Sequence, residues 1–338
     1  MTDDDFGFNS VLNDAEVPLR VLSIQSHVVH GYVGNSCATF PMQLHGFNVD
    51  TIHSVQFSNH TGYGVVKGGR MSADEFKALT EGLQLNGFDQ DYTHVLTGYC
   101  GERRFLSEVA RFIGELKSTN PGLVYVCDPV LGDTAQGGYY VDPSLMPIYR
   151  DELLPLADLV VPNQFELQEL SGVTVCDEAT CREALRRLTA NHGVKRVVVS
   201  STDIVAESNV ATDAKQLSAT TAPERICGYA RFVGQPDRRF TIQQIPTAFV
   251  GSGDLFASLM LVWSHKTRGD LLQSISRTLG TVRSVLRDTH TEAQRKTASS
   301  TQRKLSFKDL ELRIVENSNV ILNPPDILDD LDIVELPE

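Results

Sequence analysis

The stretch Phe249-Val250-Gly251-Ser252-Gly253-Asp254-Leu255-Phe256-Ala257-Ser258-Leu259-Met260-Leu261-Val262-Trp263 is the most informative in this chain of 338 residues. Two glycines flank a serine, an acid follows, and an apolar run begins. The run reads as a buried helix with the glycines at its N-terminus. At that end the free backbone N–H groups and the helix dipole favour an anion, and glycine lets a phosphate come close to the backbone. Asp254 falls in the first turn. An acid beside a bound phosphate repels it unless the acid has a chemical task or a metal intervenes. The evident task is that of a general base, taking a proton from a hydroxyl that attacks the phosphate. The same residues also make an ordinary capped turn, with Ser252 or Asp254 as the cap. A short motif does not separate the two readings.

Working outward, strand-like and helix-like segments mostly alternate. Leu19–Gln25 and Val49–Val55 read as strands, with a turn at Gly31 and Gly34 and a helical stretch to Gly46 between them. His94–Thr97, Leu123–Cys127, Leu159–Val161 and Arg196–Val199 are short apolar strands. Ala73–Leu85, Phe105–Leu116 and residues 177–191 are amphipathic helices. The alternation predicts an α/β fold: three layers, a mainly parallel central sheet with helices on both faces. Residues 226–233 and 239–245 flank Gly234-Gln235-Pro236-Asp237 and read as a hairpin. Two long helices follow at about 253–266 and 269–289, and Leu310–Val315 reads as a late edge strand. The domain organisation expected is an acidic, flexible arm over 1–18, one α/β domain over 19–316 with a mobile linker at 290–304, and a loosely packed acidic tail over 317–338.

A composition 41% hydrophobic and 22% charged is that of a globular chain. The formal net charge of -13 argues against nucleic acid or an anionic membrane as partner. It leaves room for an anionic small molecule held by a local nest and a cation. The six cysteines form no C-x-x-C pair and no cluster with zinc spacing, which fits reduced thiols in a cytoplasmic protein. Neither a signal peptide nor an apolar run of membrane-spanning length is visible.

In parallel α/β sheets ligands bind beyond the carboxyl ends of the strands. Polar residues gather there. They include Ser26, Asn59-His60-Thr61, Tyr99, Asp128, Asp133, Asn163, Glu166, Ser200 and Ser201, with Gly251–Asp254 last. Asp128, Asp133 and Glu166 lie without adjacent lysines and suit a hard divalent cation such as Mg²⁺. Each also has a structural reading: Asn163 with Glu166 three residues on is a cap-like pair. Together, the nest, its acid and the carboxylates form a phosphoryl-transfer set. It is built without a Walker P-loop or the protein-kinase motifs.

Long blocks carry a family resemblance: Val21–Val28, Gly31-Tyr32-Val33-Gly34-Asn35, Ser54–Tyr63, Leu96–Tyr99, Val124–Asp133, Pro162–Glu166 and Phe249–Asp254. Over residues 19–315 the chain resembles the pyridoxal kinases of the ribokinase-like superfamily, the eukaryotic type most. The resemblance implies ATP-dependent phosphorylation of the 5′-hydroxymethyl group of pyridoxal, pyridoxine or pyridoxamine. It implies Asp254 as base and Gly251, Ser252 and Gly253 as the anion hole. Ser26 would bond the polar edge of the ring, Val33, Phe57 and Tyr99 would wall it, and His60 and Thr61 would stand beside it. Asp133 and Glu166 would serve Mg²⁺ or another divalent cation, with Asp128 near the cation and phosphates. Asn163, Ser200 and Ser201 would touch the phosphates, and Ile245 to Val250 would border the adenine. A monovalent cation, K⁺ or Na⁺, and a homodimer are also implied.

The chain departs from the family pattern where Val161 replaces a threonine and Ser252 a frequent threonine, and in a shorter flap at residues 134–140. The alternatives are a related kinase of another hydroxymethyl compound, or an inactive homologue that binds nucleotide or vitamer. An aromatic-walled slot argues against a sugar, and an acid poised at a nest argues against an inactive binder.

Overall fold

The computed structural model describes residues 18–134, 137–204, 225–298 and 305–336. Its strands are β1 (Arg20–Val28), β2 (Asn48–Phe57), β3 (Gly68–Arg70), β4 (His94–Thr97), β5 (Val124–Cys127), β6 (Gly132–Asp133), β7 (Gly138–Tyr139), β8 (Leu159–Val160), β9 (Arg196–Val199), β10 (Arg225–Phe232), β11 (Asp237–Gln243) and β12 (Val334–Leu336). The principal helices are α1 (Asn35–Leu44), α2 (Ala73–Leu85), α3 (Arg103–Thr119), α4 (Gln164–Ser171), α5 (Glu178–His192), α6 (Ser252–Lys266), α7 (Leu271–Ala298) and α8 (Ser318–Leu322).

Ten strands form one sheet in the order β12-β11-β10-β9-β8-β5-β4-β1-β2-β3. From β2 to β9 neighbours run parallel, while β3, β10, β11 and β12 are antiparallel additions at the two edges. Parallel pairing requires helical crossovers, and these cover both faces. Alternation along β5 shows the result: Tyr125 and Cys127 enter one apolar core, Val124 and Val126 the other. The first core packs α2, α3, α4 and α5 against the sheet; the second packs α1, α6 and α7. In α3, Phe105, Leu106, Val109, Phe112, Ile113 and Leu116 make a buried stripe at helical spacing. By contrast α6 is buried on nearly all sides from Leu255 to Val262, as its unbroken apolar run requires.

The chain passes from β1 to β2 on one side, then crosses to the other side of β1 to add β4. This reversal opens a crevice at the carboxyl ends of β1 and β4, where α/β sheets bind ligands. Residues after β1, β2, β4, β5, β8 and β9 all approach it.

Three expectations are corrected in the C-terminal third. Residues 290–298 are not a linker but the last turns of α7, with Ala293 fully buried; 299–304 lie outside the described residues. Leu310–Val315 is not a strand: it is irregular chain, with Leu312 and Ile314 buried against the second core. Its apolar alternation was a packing pattern without a ladder. The edge is taken by β12, which pairs with β11. The segment beyond Asn317 is well packed, with Ile321, Ile327, Leu331 and Leu336 buried. In the flap segment, β6 and β7 pair as a short hairpin around residues 135–136, which lie outside the described residues. Of the acidic arm only Pro18 is described.

Candidate active site

The crevice is a cleft of about 400 Å³. One end is apolar and aromatic. Val33, Phe57 and Tyr99 line it as expected, joined by Val28 and Val55. Ser26, at the mouth of β1, contributes a hydroxyl to the lining, and His60 and Thr61 come from the loop after β2. The Arg70 guanidinium lies 5.6 Å from the Phe57 ring centroid and donates to the Tyr99 hydroxyl at 3.1 Å. Arg70 and Phe307 both line the cleft and were not anticipated. Arg70 sits on the three-residue strand β3, too short to show a pattern, and Phe307 follows α7 in a stretch between the expected linker and the expected edge strand, where the sequence shows no element.

At the cleft's centre, Gly251, Ser252, Gly253 and Asp254 open α6. Gly251 caps the helix at φ 89°, and a Cβ there would run into the Tyr32 carbonyl oxygen. Both constraints demand glycine. The first-turn N–H groups therefore meet the cleft with no side chain at Gly251 in the way. Burial pushes the Asp254 carboxyl up to about 6, against the opposing hydrogen bond from the Gly34 amide. A carboxylate near that value is ionised at neutral pH and still basic enough to accept a proton.

The far end is acidic. Asp128, Asp133 and Glu166 line it with Asn163 and Ser200. Asp128 and Glu166 are buried, at 7% and 3% exposure. Burial drives Asp128 well above the ordinary carboxylate range, reinforced by Glu166 and Asp254. Burial likewise raises Glu166 to about 8, opposed by amide hydrogen bonds and aided by Asp133. Among the described residues no lysine or arginine pairs with Asp128, Glu166 or Asp254. Such an array is stable in its charged form only with a cation beside it. No three His, Cys, Asp or Glu side chains among the described residues converge as a metal-binding group. One or two of these carboxylates is the number that Mg²⁺ takes, with water and phosphate oxygens completing its shell.

The cap reading of Asn163 and Glu166 holds. They form a complete capping box for α4: Asn163 Oδ1 accepts from the Glu166 amide at 2.9 Å, and Glu166 Oε2 from the Asn163 amide at 2.9 Å. Glu166 Oε1 also accepts from the Leu131 amide at 3.0 Å, and Asn163 Nδ2 donates to the Gly132 carbonyl at 2.7 Å. The helix cap thus fixes the carboxylate against the β5–β6 connection, at the cleft wall. Phe249 and Val250 line the cleft, but Ile245 does not. Ser200 reaches it and Ser201 does not. Neither Ile245 nor Ser201 is therefore part of the wall of this cleft.

A parallel sheet, an anion nest at the start of a core helix, and a carboxylate in that nest facing an apolar slot define a ribokinase-like small-molecule kinase. Residues 44–226 match the family model described as phosphomethylpyrimidine kinase. The chain is 42% identical over 318 residues to the pyridoxal kinase of Sus scrofa, covering 93% of this chain and 95% of that protein. It is 41% identical over 313 residues to the pyridoxal kinase of Homo sapiens, covering 91% and 97%. Its fold matches pyridoxal kinase from Leishmania donovani in complex with ADP and pyridoxamine, with a TM-score of 0.77 at 34% identity, over 94% of this chain and 99% of that one. The chain belongs to the pyridoxal kinase family.

Proposed function

We propose that the protein transfers the γ-phosphoryl group of ATP to the 5′-hydroxymethyl group of pyridoxal, pyridoxine and pyridoxamine. The observation that carries this reading is Asp254. It stands in an anion nest, raised to about 6, between an aromatic-walled slot and an acidic phosphate end of one cleft. The vitamer ring, flat and apolar with a polar edge, suits Val33, Phe57 and Tyr99, with Ser26 on its edge. ATP enters from the side of Asn163, Ser200 and Val250.

The chemistry follows from the placement. Asp254 takes the proton of the vitamer hydroxyl as its oxygen bonds the γ-phosphorus. The bond from that phosphorus to the β–γ bridging oxygen breaks, and ADP leaves. The amides of Gly251, Ser252 and Gly253 stabilise the charge that gathers on the transferring group. Of Asp128, Asp133 and Glu166, one or two would hold Mg²⁺ directly and Glu166 through water, because its oxygens already cap α4. The ion would supply charge neutralisation between the phosphates and the carboxylates. A monovalent cation would add to the same neutralisation.

The six free cysteines, five of them buried, support a cytoplasmic enzyme. Among the described residues no helix is long and apolar enough to cross a membrane. A homodimer is the assembly that goes with the family, and light scattering tests it. The activity itself is tested by incubating the purified protein with ATP, Mg²⁺ and each vitamer in turn and identifying the products. Vitamer 5′-phosphate and ADP in equal amounts are expected. ATP-dependent phosphorylation of a hydroxymethyl pyrimidine, with none of the vitamers, would replace this reading by the first alternative.

A further inference from the structure

Glu311 lies outside every motif described above, in the irregular chain after α7. It is nonetheless half-buried and tied to three points around the vitamer end of the cleft. Its Oε1 accepts from the Tyr63 hydroxyl at 2.7 Å and lies 3.4 Å from His60 Nε2. Its Oε2 accepts from the Tyr32 amide at 3.2 Å. Burial would push this carboxyl up, but the bonds from His60, Tyr63 and Tyr32 outweigh it and hold Glu311 below the ordinary carboxylate range. Gly31 leaves room for it, since a Cβ there would collide with the carboxylate. Phe307, four residues earlier, packs edge-on against His60 at 5.4 Å and lines the cleft.

We propose that Glu311 is a positioning residue for the vitamer: it ties the loop after β2 to the turn after β1 and so sets the width of the vitamer slot. Both tied segments line that slot. The loop carries His60 and Thr61; the turn carries Val33, and its Gly34 amide bonds Asp254. The same contact fixes the role of His60. The Gly62 amide, which can only donate, bonds His60 Nδ1 at 3.1 Å. The proton of the neutral ring is therefore on Nε2 and faces Glu311. Both ring nitrogens are engaged within the protein, so His60 meets the vitamer as a wall and makes no hydrogen bond to it. The inference rests on the vitamer reading of the cleft.

The test compares Glu311→Ala, Glu311→Gln and Tyr63→Phe with the wild type, by steady-state kinetics and by hydrogen exchange of the ligand-free protein. Glu311→Ala removes all three ties and is expected to raise KM for pyridoxal about 10-fold, leaving KM for ATP within about twofold. Glu311→Gln, which turns one accepting oxygen into a donor, should fall between it and the wild type; Tyr63→Phe should raise KM only about threefold. Exchange over residues 58–64 should rise in each variant while α6 stays protected. If Glu311→Ala does not fold, Glu311→Gln and Tyr63→Phe carry the comparison. Unchanged pyridoxal KM and unchanged exchange in Glu311→Gln would overturn the proposal, as would parallel losses toward both substrates. Faster exchange over 58–64 in a protein whose wild type leaves all vitamers untouched would uphold the tie and overturn the vitamer reading alone.

Discussion

The site depends on a few residues whose environment, more than their identity, sets their chemistry. Asp254 and Glu166 are both carboxylates, yet one is raised to about 6 and the other to about 8. Glu166 is crowded by Asp133 as well as buried, and it needs a cation to stay charged at neutral pH. Asp254 is raised by burial alone, against one amide from Gly34. A general base works deprotonated, so its pKa sets the acid limb of the rate. We expect kcat/KM for the vitamer to fall tenfold per unit as pH drops below about 6. A profile flat from pH 7 to pH 5 would remove Asp254 from that role. Ser26 makes a second residue-scale prediction. Its hydroxyl has no hydrogen bond among the described residues and lines the vitamer end. Ser26→Ala should weaken vitamer binding by about 0.5–1.5 kcal/mol and leave ATP binding alone. Michaelis constants for both substrates check it; a shift confined to ATP would mean that the two ends of the cleft are exchanged.

At the scale of elements, legibility followed how locally each element is encoded. Helix α2 spans Ala73–Leu85, as its periodicity and the Ser72/Glu75 capping box require. Strands β4, β5 and β9 were legible because parallel strands buried on both faces are continuous apolar runs. The C-terminal third was not. Leu310-Glu311-Leu312-Arg313-Ile314 alternates like a strand, but its alternation serves burial against the second core, and β11 pairs instead with β12. Residues 291–296 are polar apart from the buried Ala293 because these turns of α7 are largely exposed, which composition alone does not distinguish from linker. The docking of α8 was equally invisible. His45 bridges it: Nε2 donates to the Ile321 carbonyl at 3.0 Å, and Nδ1 accepts from Lys266 Nζ at 3.1 Å. That bridge requires a neutral ring, and burial with the Lys266 charge lowers His45 to about 4. The unfolded chain binds this proton near pH 6.5 and the folded one only near 4, so the unfolded state holds more protons in between. The contribution of His45 is thus complete above about 6.5 and is lost as pH falls toward 4. His45→Gln should flatten the loss of melting temperature between pH 6.5 and pH 4.5. An identical slope in variant and wild type would show that the acid sensitivity resides elsewhere.

For the whole molecule, the ordering of strands decides where chemistry is done. Because β1 lies between β2 and β4, turns from both sides of the reversal converge with the start of α6 on one cleft. Sixteen of the site residues expected from sequence meet there, because strand ends are few and the resemblance blocks fall on them. What sequence could not supply were partners brought in over long separation, such as Glu311 against Tyr32 and Phe307 against His60. The acidic end has a consequence for the molecule's stability. Glu166 has a folded pKa near 8, above its unfolded value of 4.5, so the folded state binds more protons between those values. Stability from this group therefore declines as pH rises through that window, and Asp128 acts in the same direction. A divalent cation held there would oppose the decline. Millimolar Mg²⁺ with ADP should raise the melting temperature more at pH 8 than at pH 5.5, relative to ADP alone. An equal rise at both pH values would place the ion away from Asp128 and Glu166.

The central claim is that Asp254, set in the nest at the start of α6, takes the proton of the vitamer's 5′-hydroxyl. The most direct measurement is single-turnover phosphorylation of pyridoxal by Asp254→Asn, with ATP affinity determined on the same sample. The nest keeps its amides and the cleft its shape in this variant, so ATP affinity is expected to persist. The rate should fall about 10²–10⁴-fold, the cost of removing a positioned base. Phosphorylation at the wild-type rate, with ATP bound as before, would contradict the account.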